Sequence, residues 1–180
     1  MKLRAPLAIV AVTAIAALTG CMLAPPQDET VTVSLETADG QLLELEATIP
    51  GGASNSGPVA VSGCVDDAEA WELPFIDRGI ISFATTSAAT ACPDDQPLNG
   101  RFPSWASAAE LPASAVEVAV PGVQRAHRFA LDYTECTNFC RSWPRELALL
   151  ELDGATVLVA ATGPDAERFD RLVASILVLR

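Results

Sequence analysis

The chain has 180 residues, half of them hydrophobic, and a formal net charge of −12, because 23 acidic residues stand against 11 basic ones. This length suits one domain with a substantial core. Phosphate binding needs clustered basic side chains, and the main basic cluster is the short run Arg125–Arg128. The composition therefore argues against a nucleic-acid partner and against electrostatic docking onto anionic lipid headgroups.

The N-terminal segment has the anatomy of an export signal. Lys2 and Arg4 give it a positive start, an apolar stretch runs from Ala5 to Leu18, and small residues follow. As a helix, about 14 residues reach only ~21 Å, which is short of a hydrocarbon core of ~30 Å. The stretch therefore predicts a cleaved signal peptide, residues 1–20, and not a membrane-spanning helix.

The run Leu18-Thr19-Gly20-Cys21 resembles the lipobox of bacterial lipoproteins at all four positions. The resemblance implies cleavage after Gly20, acylation of Cys21 with fatty acid such as palmitate, and a protein held by lipid on the extracytoplasmic face of the cell membrane. Each buried CH₂ of an acyl chain adds ~0.8 kcal/mol, so two or more chains hold a domain to a bilayer almost permanently. The mature chain has nine arginines, no lysine and all 23 carboxylates, which gives a net charge of −14.

The mature chain divides into a spacer and a domain. Residues 21–29 are predicted to be a lipid-anchored spacer, because the pair Pro25-Pro26 favours extended backbone. Residues 30–180 are predicted to form a single extracytoplasmic domain.

The domain begins with a predicted hairpin over 31–49, where apolar and polar residues alternate. A three-residue loop, Ala38–Gly40, places Leu35 opposite Leu43. A two-residue loop places Leu35 opposite Glu44 instead, which mixes the two faces. We therefore expect the three-residue loop, with its glycine in the left-handed conformation.

The middle of the chain has weaker patterns. We expect a flexible loop over Pro50–Gly57 and a strand over Val59–Ser62. One helical turn is expected over Asp66–Trp71. A strand within Phe75–Ala84 is expected to bury Ile80, Ile81 and Phe83, and a long irregular crossover to follow over Thr85–Pro112.

Four further strands are predicted in the second half. The last two flank Asp153-Gly154, and a two-residue loop there places Leu150 opposite Val157. Both faces of these two strands are apolar, so they belong in the middle of a sheet covered on each side. The four strands are Ala115–Val120, Gln124–Tyr133, Glu146–Leu152 and Ala155–Ala161.

A terminal amphipathic helix follows. Pro164 suits its first turn, and the carboxylates of Asp165 and Glu167 suit its positive N-terminal end. One face carries apolar residues at helical spacing and the other carries arginines. The pattern leaves open whether Ile176–Leu179 continues the helix or forms a strand. The apolar face is Phe169, Leu172, Val173 and Ile176; the arginines are Arg168 and Arg171.

Antiparallel hairpins with a terminal helix predict an α+β domain, with one twisted antiparallel sheet of about six strands and the helix on one face. A β-sandwich is the alternative. The last 35 residues or so, where a strand hairpin leads into a closing helix near Gly163-Pro164, resemble the ending of actinobacterial envelope lipoproteins with a PsbP/Mog1-like fold. That resemblance implies a binding or assembly role.

Cys64, Cys92, Cys136 and Cys140 remain after lipidation, and an even count outside the cytoplasm predicts two disulfides. Three pairings are possible. We favour Cys64 with Cys92 and Cys136 with Cys140, since the loop between the last two is short enough to close on itself. A bridge from Cys64 to Cys92 is worth ~3 to 4 kcal/mol by chain entropy.

A redox or Cu(I) site at Cys136 and Cys140 is an alternative, with His127 as a third ligand, because soft thiolates select Cu(I). Some exported copper chaperones use a Cys-x3-Cys pair with a distant histidine. Those proteins start a helix at the cysteines, whereas here a predicted strand follows Cys140. A hydrogen-bonded histidine without a metal is the simpler interpretation of His127.

A hydrolase is a second alternative. A carboxylate pair could cleave sugars, and the densest acidic group is Asp66, Asp67, Glu69 and Glu72. No nucleophile elbow, zinc-protease motif or phosphate loop is present, and the group does not match a calcium loop. No cofactor is indicated.

The three tryptophans, Trp71, Trp105 and Trp143, share no spacing and are interpreted as packing anchors and not as a ligand groove. The sequence therefore predicts a non-catalytic, lipid-anchored envelope protein that binds a partner protein, or a small apolar ligand between sheet and helix.

Overall fold

The computed structural model describes residues 27–58, 65–74, 79–86, 111–136 and 139–179. Within these ranges the chain forms ten strands and one helix. In chain order they are β1 (Glu29–Glu36), β2 (Leu42–Ile49), β3 (Ser54–Pro58), β4 (Val65–Glu72), β5 (Ile80–Thr86), β6 (Val116–Val118), β7 (Arg125–Cys136), β8 (Cys140–Glu151), β9 (Thr156–Thr162), α1 (Ala166–Ser175) and β10 (Leu177–Val178).

The strands form two antiparallel sheets. The large sheet has the order β3-β4-β5-β9-β8-β7-β6, and the small sheet has the order β1-β2-β10. The fold is thus rich in antiparallel sheet with one C-terminal helix, as the sequence predicts at that level. The prediction of a single sheet misses the separate small sheet that the first hairpin builds with β10.

The first hairpin has the predicted register. Leu35 pairs with Leu43, and the next apolar pair is Val33 with Leu45. Gly40 has a φ of +80°, which is the left-handed conformation that the three-residue loop requires. All four paired side chains are buried, so the apolar alternation fixed both the loop length and the buried face.

The β8–β9 hairpin also has the predicted register, with Leu150 opposite Val157 and Leu149 opposite Leu158. These strands lie in the middle of the large sheet. Leu150 and Val157 face one hydrophobic cluster, and Leu149 and Leu158 face another. The prediction of a central hairpin covered on both faces is confirmed.

The main core lies between the two sheets and includes α1. It combines apolar side chains of the small sheet, such as Leu45, with those of the large sheet, such as Phe83, and with Phe169 of the helix. A core shared by two sheets is the feature expected of the sandwich alternative. The smaller cluster lies on the other face of the large sheet, where Leu111 and Ala115 pack against it.

Helix α1 begins after Asp165, whose carboxylate accepts a hydrogen bond from the backbone N–H of Arg168 at 2.8 Å. Pro164 therefore precedes the N-cap and is not in the first turn. Ile176 is buried but is the C-cap, with extended backbone. The sequence leaves open whether Ile176–Leu179 continues the helix or forms a strand. In the structure the helix ends and Leu177–Val178 forms a strand beside β2.

Three predictions for the middle of the chain need correction. Asp66–Trp71 is not a helical turn, because β4 pairs with strands on both sides and this pairing overrides local preference. The loop predicted over Pro50–Gly57 contains most of edge strand β3. Ile80 is 42% exposed and lies outside the core, whereas Ile81 and Phe83 are buried as predicted.

Several other predictions fall outside the described residues. They are the signal peptide and Cys21, the strand over Val59–Ser62, Cys64, and the crossover beyond Thr86 with Cys92.

Candidate ligand groove

An open groove of about 610 Å³ lies between the edge of the large sheet and helix α1. Cavities of ~300–1,000 Å³ accommodate small molecules, so its size is suitable. The lining is mainly apolar and comes from three elements. Val116 and Val118 of β6, Phe129 and Ala130 of β7, and Val173 and Ala174 of α1 form the walls.

The groove is open because of how its elements end. Strand β6 has only three residues and is the last strand of the large sheet. Its Val116 is exposed. Helix α1 buries Phe169, Leu172 and Val173 against the sheets, and its next residue, Ala174, remains exposed at the groove. A short edge strand beside a packed helix therefore leaves apolar surface accessible.

Arg128 is the less exposed of the two charged residues that line the groove. Its Nη2 lies 2.5 Å from a carboxylate oxygen of Glu146 on β8, and its Nε donates to Asp170 on α1 at 2.9 Å. Its Nη1 also donates to the backbone carbonyl of Phe129 at 3.0 Å. Arg128 and Glu146 side chains are each 12% exposed, whereas that of Asp170 is 60% exposed. Arg128 thus ties the sheet to the helix.

The guanidinium also lies over the ring of Phe169, 5.1 Å from its centroid. A cation over an aromatic face is attracted by the ring quadrupole. Arg128 therefore has two carboxylate partners and an aromatic partner, and the three charged groups sum to −1. This balance does not favour an anionic ligand, and it suits an uncharged apolar one.

The basic cluster noted in the sequence is neutralised in the fold. Arg125 lies 3.7 Å from the carboxylate of Glu151, and Arg128 is paired as described. The sequence predicts that Arg128 lies on the strand Gln124–Tyr133. It does not predict the partners of Arg128, because Glu146 and Asp170 lie on β8 and α1.

The acidic group is dispersed along β4, and two of its members have structural partners. Glu69 accepts a hydrogen bond from the backbone N–H of Ser34 at 3.1 Å, and Asp67 accepts one from Glu36 at 2.8 Å. The other carboxylate oxygen of Glu69 accepts from Asn55 at 2.6 Å. These carboxylates bind the free edge of β1, which explains them without a catalytic role.

His127 and the cysteine pair lie at opposite ends of β7. Cys136 pairs with Cys140 in the backbone register, while His127, nine residues earlier, pairs with Leu149. At ~3.3 Å per residue, nine residues span ~30 Å. His127 therefore does not reach a metal ion held by Cys136 and Cys140. Its Nδ1 is buried and has no hydrogen-bond partner among the described residues.

Trp71 is a packing anchor, as predicted. It is buried and meets the ring of Phe83 edge to face, with centroids 5.7 Å apart and planes at 87°. Trp105 lies outside the described residues, and for Trp143 the backbone position on β8 is described.

In the part of the chain that the structure describes, no group of three or more His, Cys, Asp or Glu side chains is arranged to hold a metal ion. Within the same residues, no helix has the length and apolar character needed to cross a membrane.

Comparison with known proteins gives no relative. No protein-family model, no curated protein and no solved structure matches this chain. Functional inference therefore rests on the sequence motifs and on the geometry of the groove.

Proposed function

We propose that the protein is a non-catalytic, lipid-anchored protein of the cell envelope that binds a small apolar ligand in the groove between β6, β7 and α1. The anchor is the acyl group on Cys21, which holds the domain at the extracytoplasmic face of the cell membrane. The lipobox residues support the anchor. The resemblance of the C-terminal part to actinobacterial envelope lipoproteins with a PsbP/Mog1-like fold remains a prediction.

The observation that carries the ligand proposal is the composition of the groove. Its walls are mainly apolar side chains from three elements, and the positive charge of Arg128 is offset by Glu146 and Asp170. Binding there removes apolar ligand surface from water without leaving a charged group unpaired. A bound partner protein is the other occupant that the sequence predicts.

The proposal is tested with N-phenyl-1-naphthylamine, an uncharged apolar fluorophore whose emission rises in an apolar site. We expect the mature protein to bind the probe, and Ala174→Trp, which fills the groove, to weaken binding at least tenfold. Ala166→Trp is the matched control, because Ala166 is exposed on the same helix and does not line the groove. Equal binding by both variants contradicts the proposal.

The anchor is tested separately. We expect mass spectrometry of the native product to show cleavage after Gly20 and acylation of Cys21, and Cys21→Ala to release the protein from the membrane fraction. A product that retains residues 1–20, or in which Cys21 is unmodified, contradicts the proposed lipid anchor.

We also propose two disulfides, Cys64 with Cys92 and Cys136 with Cys140. The second is supported by the backbone register, which pairs Cys136 with Cys140 directly across the β7–β8 hairpin. Residues opposite each other in an antiparallel pair have Cα atoms ~4.5–5.5 Å apart, within the range of disulfides. Peptide mapping without reductant should recover both pairs, and free thiols at 136 and 140 would favour the redox alternative.

A further inference from the structure

Strands β7 and β8 continue well beyond the rest of the large sheet. The last pair that β8 shares with β9 is Glu146 with Ala161, whereas β8 pairs with β7 as far as Cys140. At ~3.3 Å per residue, the six residues Cys140–Arg145 extend ~20 Å past that point. We call this two-stranded extension, Leu131–Cys136 with Cys140–Arg145, the ribbon.

The ribbon leaves the large sheet at a defined end. Ala161 pairs with Glu146, and its neighbour Thr162 pairs with Ile80. Ile80 in turn pairs with Glu72, the last residue of β4. The ends of β4 and β9 and the start of β5 therefore lie at the end of the sheet from which the ribbon projects.

The N-terminal end of the domain lies at this same end. Strand β1 runs beside β4 in the opposite direction, because Glu36 binds Asp67 and Ser34 binds Glu69. The start of β1 at Glu29 is thus directed toward the end of β4.

A second contact agrees with this placement. The backbone of Gln27 lies so close to Gly51 that a Cβ on Gly51 would overlap the Gln27 carbonyl. Three residues after Gly51, Ser54 pairs with Glu72. Gln27, the first residue that the structure describes, therefore lies at the end of the domain that carries the ribbon.

The two lengths match. Five residues lie between Cys21 and Gln27, so the six Cα–Cα steps from Gln27 to Cys21 span at most ~20 Å. The ribbon projects ~20 Å from the same end. If Cys21 carries lipid, the end of the ribbon is able to reach the plane of the bilayer in which that lipid lies.

The chemistry of the ribbon suits this surface. Phe139, which directly precedes β8, is 61% exposed. Ile80, at the start of β5 and at the end of the sheet from which the ribbon projects, is also exposed. By sequence the ribbon carries two acidic residues, Asp132 and Glu135, and two basic residues, Arg141 and Arg145, so its formal net charge is zero. An apolar ring on a segment without net positive charge favours the apolar part of the membrane interface, whatever the charge of the headgroups.

We propose that the outer end of the ribbon, at Phe139, contacts the lipid bilayer that holds the acyl group of Cys21. This inference rests on the proposed lipid anchor and adds a second point of contact. The domain then has a fixed orientation on the membrane and does not swing freely on its spacer.

The test uses the full acylated chain in phosphatidylcholine vesicles that contain a brominated phosphatidylcholine as quencher. The probe is the tryptophan signal added by Phe139→Trp, measured as the difference from the parent protein. The matched control is Leu42→Trp, because Leu42 is 59% exposed at the opposite end of the small sheet. We expect quenching at position 139 to be at least twofold greater than at position 42, and this difference to remain unchanged in high salt.

The outcomes separate the two proposals. Flotation of the vesicles shows whether the parent protein is anchored. An anchored protein with equal quenching at positions 139 and 42 overturns the ribbon contact and leaves the lipid anchor intact. A parent protein that does not float overturns both. Far-ultraviolet circular dichroism checks that each variant is folded.

Discussion

Arg128 on β7 and Glu146 on β8 form a close ion pair, with 2.5 Å between Nη2 and the carboxylate oxygen and only 12% of each side chain exposed. Breaking such a pair from one side leaves an uncompensated charge in a poorly solvated site. We therefore expect Arg128→Met to lower the free energy of unfolding by about 3 kcal/mol or more, measured by urea denaturation.

The double variant Arg128→Met with Glu146→Met is the matched control for that experiment. It removes both charges, so we expect it to recover most of the lost stability. A double variant as unstable as the single one would show that packing of the arginine, and not its charge, decides the effect.

The N-cap of α1 provides a smaller, local prediction. The carboxylate of Asp165 satisfies the backbone N–H of Arg168, and loss of such a cap costs about 1 kcal/mol. We expect that decrease for Asp165→Ala in thermal or urea unfolding. Asp165→Asn keeps an acceptor at the same position and should remain close to the parent protein; an equal loss in both would assign the effect to charge.

The contact between Trp71 and Phe83 predicts a large core effect. Phe83 is fully buried, and its ring meets Trp71 edge to face. Phe83→Ala should cost about 3–5 kcal/mol in the free energy of unfolding, because it leaves a cavity that the sheet cannot close. Phe83→Leu fills most of that space and should cost less. A value for alanine below that for leucine would contradict the assigned core.

The first hairpin predicts a shifted titration. Thr37 donates a hydrogen bond to Asp39 at 2.5 Å, and this bond is the main cause that lowers the pKa of Asp39 below 3.8. We expect Thr37→Val to raise that pKa toward 3.8, as followed by NMR titration of the carboxyl carbon. Thr32→Val, on the preceding strand β1, should leave the titration unchanged.

The sign of the linked stability follows from the lowered pKa of Asp39. The folded-state pKa lies below that of the unfolded chain, so the hydrogen bond adds stability above the unfolded-state pKa. That contribution is lost as pH falls through the folded-state pKa. Thr37→Val should therefore lose less stability than the parent protein on acidification. The same fall in the free energy of unfolding at low pH in both proteins would contradict the role given to the Thr37–Asp39 hydrogen bond.

The sequence predicted the elements whose signals are local. Alternation of apolar residues and a glycine in the loop set the pairing of Leu35 with Leu43, and the same reasoning set Leu150 with Val157. The terminal helix was predicted from its apolar face. In each case neighbours in the chain are also neighbours in space, so pattern and structure coincide.

Elements that depend on distant partners were not predicted. Asp66–Trp71 was predicted to be a helical turn, but pairing with β3 and β5 makes it a strand. The groove was predicted only as a space between sheet and helix. Its central residue, Arg128, was not recognised, because its partners Glu146 and Asp170 are separated from it by 18 and 42 residues.

The bonds from Asp67 and Glu69 to strand β1 have a consequence for behaviour at high surface density. An unprotected strand edge is a template on which another copy can add its own strand and begin a fibril. Here the backbone donors of Ser34 and Glu36 are already occupied by carboxylates, and an incoming strand would also meet their negative charge. If Cys21 carries the proposed lipid, molecules crowded side by side in one membrane leaflet would thus resist polymerising through this edge.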